Sequence, residues 1–120
     1  MSYWVALQDE DTGKACVVPL FDDGGTRIAG GSTDAELNIT YNYNECYRLV
    51  PELAGEKFGV DWLQGRRARS AVTMLDHVTR TLGDHTYQDY WAPTPGNASR
   101  AVAILLAWAR LHPEATFHVS

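Results

Sequence analysis

The chain reads as a small α+β domain: an antiparallel sheet, made of an N-terminal hairpin, an asparagine-rich strand and a short C-terminal strand, packed against two to four helices. Three observations predict it. Tyr3 to Leu7 and Glu36 to Asn44 carry strand-like patterning, whereas Ser70 to Leu82 and Ala98 to Leu111 space their apolar residues as helices do. The 120 residues match the usual size of one domain, so residues 1–120 are expected to share a single core. Hydrophobic residues make up 45% and charged residues 21%, which is the balance of a globular chain and not of a disordered one.

Ser2 to Gln8 is a β-prone run that ends in turn chemistry at Asp9-Glu10-Asp11-Thr12-Gly13-Lys14. Ala15 to Leu20 returns as the second hairpin strand, with Pro19 marking its end or an edge because proline lacks an amide donor. Phe21 to Thr33 is punctuated by Gly24-Gly25 and Gly30-Gly31 around a short strand, Thr26 to Ala29. Those glycines match no dinucleotide or phosphate-loop pattern and read as turns. In the next strand, alternation sets Leu37, Ile39, Tyr41 and Tyr43 on one face and Glu36, Asn38, Thr40, Asn42 and Asn44 on the other. From Glu45 the period becomes helical through Cys46, Leu49, Val50 and Leu53, with a break near Pro51.

Gly59 to Gly65 reads as a helical turn closed by glycine and leading into Arg66-Arg67-Ala68-Arg69. Ser70 is the expected N-cap of a helix to Leu82, with Val72, Leu75, Val78 or Thr79, and Leu82 inward and Gly83 just past its end. Asp84 to Gly96 is a long aromatic-rich loop. Asn97 then caps a helix whose buried stripe is Ala101, Ile104, Leu105, Trp108 and Leu111. His112-Pro113 stops it, and Thr116 to Val119 is the last short strand.

Charge and composition narrow the function. A net charge of −5 argues against duplex nucleic acid as a partner, since that affinity comes from basic surface, but leaves a small anionic ligand open. No apolar run approaches the ~20 residues of a membrane helix, and the first residues lack a secretion signal, so no membrane contact and a cytoplasmic location are expected. Cys16 and Cys46 fall in a strand and on a helix face, as core thiols and not as a disulfide framework. His77, His85, His112 and His118 have no HExxH or CxxC companions, so the residues point to no metal, no cofactor and no catalytic set. The sequon Asn97-Ala98-Ser99 lies at a helix start and is expected to be incidental.

Three segments stand out as ligand-binding candidates. Three of the four asparagines lie between Asn38 and Asn44, although asparagine packs poorly in strands. Asn38, Thr40 and Asn42 on one face would read polar edges with both donors and acceptors; the plain alternative is that they face water, with Asn44 capping the next helix. Arg66, Arg67 and Arg69, beside Trp62, are the one local concentration of positive charge. Guanidinium forks bind phosphate or carboxylate, and a basic helix start works against the helix dipole. The alternative there is a solvated helix start balanced by acidic neighbours. Tyr90 and Trp91 offer flat surfaces for stacking on a planar ligand or anchoring a protein, or else they cover the edge of the core. Gly96-Asn97 could also present amides to an anion.

Gly24-Gly25-Thr26, Leu37 to Tyr43, Asp89-Tyr90-Trp91 and Gly96-Asn97-Ala98, with the spacing between them, carry a resemblance over most of the chain. They resemble a group of short bacterial, notably actinobacterial, and phage proteins without an assigned activity. The resemblance implies a phage-type accessory protein and transfers no catalytic residue. Together these features lead to a non-catalytic binder that sequesters a small anionic, nucleotide-derived signalling ligand. Arg66, Arg67 or Arg69 would hold the phosphate and Tyr90 or Trp91 the base, with a homo-oligomer interface able to complete the site. Beside it stand a protein–protein interaction module that inhibits a host factor and a small hydrolase of a signalling nucleotide.

Overall fold

The computed structural model describes residues 2–21, 32–53, 59–83 and 92–120. The expected strand Thr26 to Ala29, both glycine pairs, and Tyr90 and Trp91 lie outside the described residues. The α+β architecture holds. Five strands are β1 (Ser2–Gln8), β2 (Val17–Phe21), β3 (Ser32–Asp34), β4 (Glu36–Thr40) and β5 (Thr116–Val119); three helices are α1 (Asn44–Tyr47), α2 (Ala68–Leu82) and α3 (Pro95–Leu111). Single 3₁₀ turns span Tyr41–Tyr43, Pro51–Leu53 and Gly59–Leu63.

β1 lies at the centre of an antiparallel sheet ordered β4-β1-β5, while β2 pairs with β3 in a separate two-stranded ribbon. The N-terminal hairpin therefore touches only at its base, through the Gln8–Ala15 bridge, before β2 leaves to meet β3. Leu7, Cys16 and Ala35 join the two sheets, because each donates its amide to a carbonyl of another of the three. Strand alternation puts Val5, Leu7, Leu37, Ile39 and Phe117 inward, all fully buried. Each such side chain contributes roughly 1.5–3 kcal/mol by leaving water.

Among the described residues the helices cover that inner face only. α3 lies against β4, α1 and α2, and this crowding explains why it buries more than one stripe. Ala101, Ile104, Leu105 and Trp108 are buried as the period predicts, and Val102, Leu106 and Ala109 join them. Leu111 does not; at the helix end it is 54% exposed. Leu49 departs in the same way at 59% exposed, because the helix expected from Glu45 lasts one turn and Val50 and Leu53 enter the core from separate turns.

Both long helices start earlier than expected, and the causes differ. α3 begins at Pro95 because Thr94 is the cap, its Oγ1 accepting the Asn97 amide at 3.1 Å. Asn97 is consequently inside the helix and fully buried, its Nδ2 donating to Ala92 O at 3.0 Å, so the sequon is no surface acceptor. α2 begins at Ala68 with no side-chain cap. Its first amides instead go to tertiary carbonyls, Ala68 N to Ala115 O at 2.7 Å and Arg69 N to Pro113 O at 3.0 Å.

Candidate functional site

The asparagine strand ends two residues before Asn42. Thr40 is buried and its Oγ1 accepts the Asn42 amide at 3.2 Å, so the chain turns into the 3₁₀ turn Tyr41–Tyr43 instead of continuing extended. This corrects the expected single polar face. Asn38 stays on β4, half-buried, with Nδ2 donating to Ser2 Oγ at 2.8 Å. Asn42 is exposed on the turn, which Thr40 caps; α1 has no side-chain cap, and Asn44 lies inside it. Asn44 opens α1; its Oδ1 is buried without a hydrogen-bond partner among the described residues. Asn42 and Asn44 share a wide surface hollow with Tyr41, Arg48 and Pro93, two residues beyond Trp91 in the chain.

The arginine cluster sits elsewhere. Residues 64–67 pair along the outer edge of β5, through Gly65 N to Phe117 O and Phe117 N to Arg66 O, both at 2.9 Å. From β4 this edge is three inter-strand steps away, about 14 Å. Arg67 lies 3.5 Å from carboxylates of both Glu10 and Glu114, and Arg69 lies 3.1 Å from Glu114. The acidic neighbours therefore balance those two charges, and the α2 amides that would attract an anion are already bonded to carbonyls. Arg66 stacks on Trp62 with its Cζ 3.8 Å from the ring centroid and donates Nε–H to Trp62 O at 2.6 Å. Gly96-Asn97 is closed as an anion site, since both residues are buried and Thr94 takes the Asn97 amide.

A different surface emerges from the sheet topology. Among the described residues no helix covers the outer face of β4-β1-β5. By alternation it presents Ser2, Trp4, Ala6 and Gln8 from β1, Glu36 and Asn38 from β4, and His118 from β5. Ala6 is the small residue at its middle, opposite Glu36 on one side and His118 on the other. Larger neighbours surround it, so the face carries a depression of about 420 Å³ whose walls include Trp4, Gln8, Glu36, Gln64 and His118. Trp4 is 44% exposed. Gln64 closes the far wall by accepting Val119 N through Oε1 at 2.6 Å, which leaves its amide nitrogen as a donor. Among the described sequence candidates, Asn38 borders this region opposite Trp4, and Thr40 follows it opposite Ser2. The sequence marked Ser2 to Gln8 as a strand; it did not show the neighbours that turn one of its faces into a depression.

Other reactive groups are held quiet. Cys16 and Cys46 are free thiols, buried, and burial pushes both above the usual thiol range. Tyr47 is buried with its hydroxyl donating to Ala98 O at 3.2 Å, and desolvation raises it well above an ordinary phenol. Glu52 is lowered by backbone hydrogen bonding at its own position and by His77, whose Nε2 is 3.1 Å away. Among the described residues no group of three His, Cys, Asp or Glu is placed to hold a metal ion, and no helix is long and apolar enough to cross a membrane. No family model matches the chain, and neither the curated proteins nor the solved structures give a match.

Proposed function

We propose that the chain is a non-catalytic binding domain whose uncovered sheet face takes a small planar ligand. The observation that carries this reading is the depression over Ala6, walled by a part-exposed indole and by amide, carboxylate and imidazole groups. Its volume falls within the range of about 300–1,000 Å³ common for small-molecule sites. An indole offers a flat apolar wall, and the polar side chains around it would fix a ligand's orientation. Glu36 and His118 stand on opposite sides of β1. Their backbones are two inter-strand steps, about 10 Å, apart, which suits gripping two edges of a ligand better than a concerted proton transfer. In charge the face differs from the basic site anticipated at Arg66, Arg67 and Arg69: no lysine or arginine is among its described lining residues.

Titration with adenosine, adenosine monophosphate and tryptamine, a neutral, an anionic and a cationic planar probe, tests the proposal by amide chemical shifts. Saturable shifts at Trp4, Ala6 and His118 are expected with at least one probe, and Ala6→Leu, which fills the floor, should abolish them. Each probe should be recovered unchanged by mass spectrometry. Shifts confined to Arg66 or Asn42, or no saturable shift at all, would refute the placement.

A further inference from the structure

Resting on that reading of the sheet face, we propose that its ligand carries an organic cation, held between the Trp4 indole and the Glu36 carboxylate. Two independent observations meet here. First, among the described residues lining the depression Glu36 is the one acidic or basic side chain, histidine aside. Glu10, Glu45, Glu52 and Glu114 each lie within ion-pairing distance of an arginine or histidine, whereas among the described residues no ion pair involves Glu36. Second, the register sets Glu36 diagonal to Trp4, since Trp4 faces Asn38 and Ala6 faces Glu36. The backbones of diagonal neighbours across a ladder stand about 7–8 Å apart, close enough for one methylated ammonium or guanidinium to reach both side chains.

Ala6 has only a methyl group, so nothing from β1 fills that gap. The indole face attracts a cation within about 6 Å of its centroid, and a partner carboxylate adds to the attraction. The same fold shows the pairing at Trp62, over which the Arg66 guanidinium lies at 3.8 Å. A neutral aromatic ligand would use Trp4 but desolvate Glu36 with no charge partner, which is costly. An anion would meet Glu36 at close range. The cationic head can belong to a free small molecule or to a lysine or arginine side chain of a protein, and the chemistry of the grip is the same.

The test follows the Trp4 indole N–H in the full chain at constant ionic strength. The probes are tetramethylammonium chloride, its neutral isostere tert-butanol, N-acetylarginine amide, and a short peptide carrying trimethyllysine. Saturable shifts are expected with the cations at millimolar concentration and not with tert-butanol. Glu36→Gln should weaken cation binding at least about tenfold, and Trp4→Leu, which keeps apolar bulk on the strand, should abolish it. Glu45→Gln, an exposed carboxylate away from this face, should leave it unchanged. Tighter binding of the free cations identifies a small-molecule ligand; tighter binding of the peptide identifies a protein partner. Equal response to tert-butanol, or full affinity in Glu36→Gln, overturns the cation while leaving a small-ligand face in place. If the cations fail where adenosine binds, the cation falls alone; if every probe fails, both proposals fall.

Discussion

Asn38 and Asn42 carry the same side chain four residues apart, yet they do different work. Asn38 donates to Ser2 from a half-buried strand position, and Asn42 stands exposed on a turn where its backbone amide, not its carboxamide, is bound by Thr40. Asn38→Ala is therefore expected to lower stability by at least about 0.5–1.5 kcal/mol, the usual net value of its hydrogen bond to Ser2 alone. Asn42→Ala should change it by less than about 0.5 kcal/mol, as exposed substitutions do. Urea midpoints of the two variants would decide this, and equal losses would show that Asn42 is held by more than its backbone. The clustering of asparagines was plain in the sequence. Their division between strand and turn was not, because the Thr40 hydroxyl competes with strand pairing for the Asn42 amide, and composition does not say which partner wins.

At the scale of elements, the junction between the Gly59–Leu63 turn and α2 shows how neighbours replace local signals. Ser70 looked like the cap, but the helix starts at Ala68 because the carbonyls of Pro113 and Ala115 take its first amides. Gly65 makes this route passable: it holds φ +79° while its amide donates to Phe117 O. A Cβ there would meet nothing within 4 Å, so any cost of Gly65→Ala comes from backbone conformation alone. A loss of more than about 1 kcal/mol is expected, since a left-handed conformation strains alanine. Thermal unfolding of the variant measures it, and a neutral result would mean that the turn relaxes without disturbing the β5 edge. The same junction explains the arginine run. Arg67 and Arg69 oppose the helix dipole, and Glu10 and Glu114, distant in sequence, offset them.

For the whole molecule, stability should depend on pH through Glu52, which ties the Pro51–Leu53 turn to α2 by way of His77. Its folded value is lowered from 4.5, so the stabilisation is present above that pH and lost as pH falls through the lower folded value. Unfolding midpoints of the native chain and Glu52→Gln should differ at neutral pH and converge in acid. Both partners are about half exposed, so added salt should shrink the difference. A gap that persists in acid would assign the effect to packing and not to charge.

The sequence by itself determined the class of the fold, the strands β1 and β5, the inward Leu37 and Ile39 of β4, and the greater part of the α3 stripe. Each of these follows from periodicity, a local property that burial enforces at every second or every third and fourth residue. Only the tertiary structure decided that β1 is the central strand, that α2 is capped by the chain before β5, and that Arg67 and Arg69 face glutamates while Arg66 stacks on Trp62. It also decided that Trp4, Ala6, Glu36 and His118, which come from three strands, share one face that no described helix covers. Strand order and ion pairing depend on which distant segments meet, and no local period encodes that.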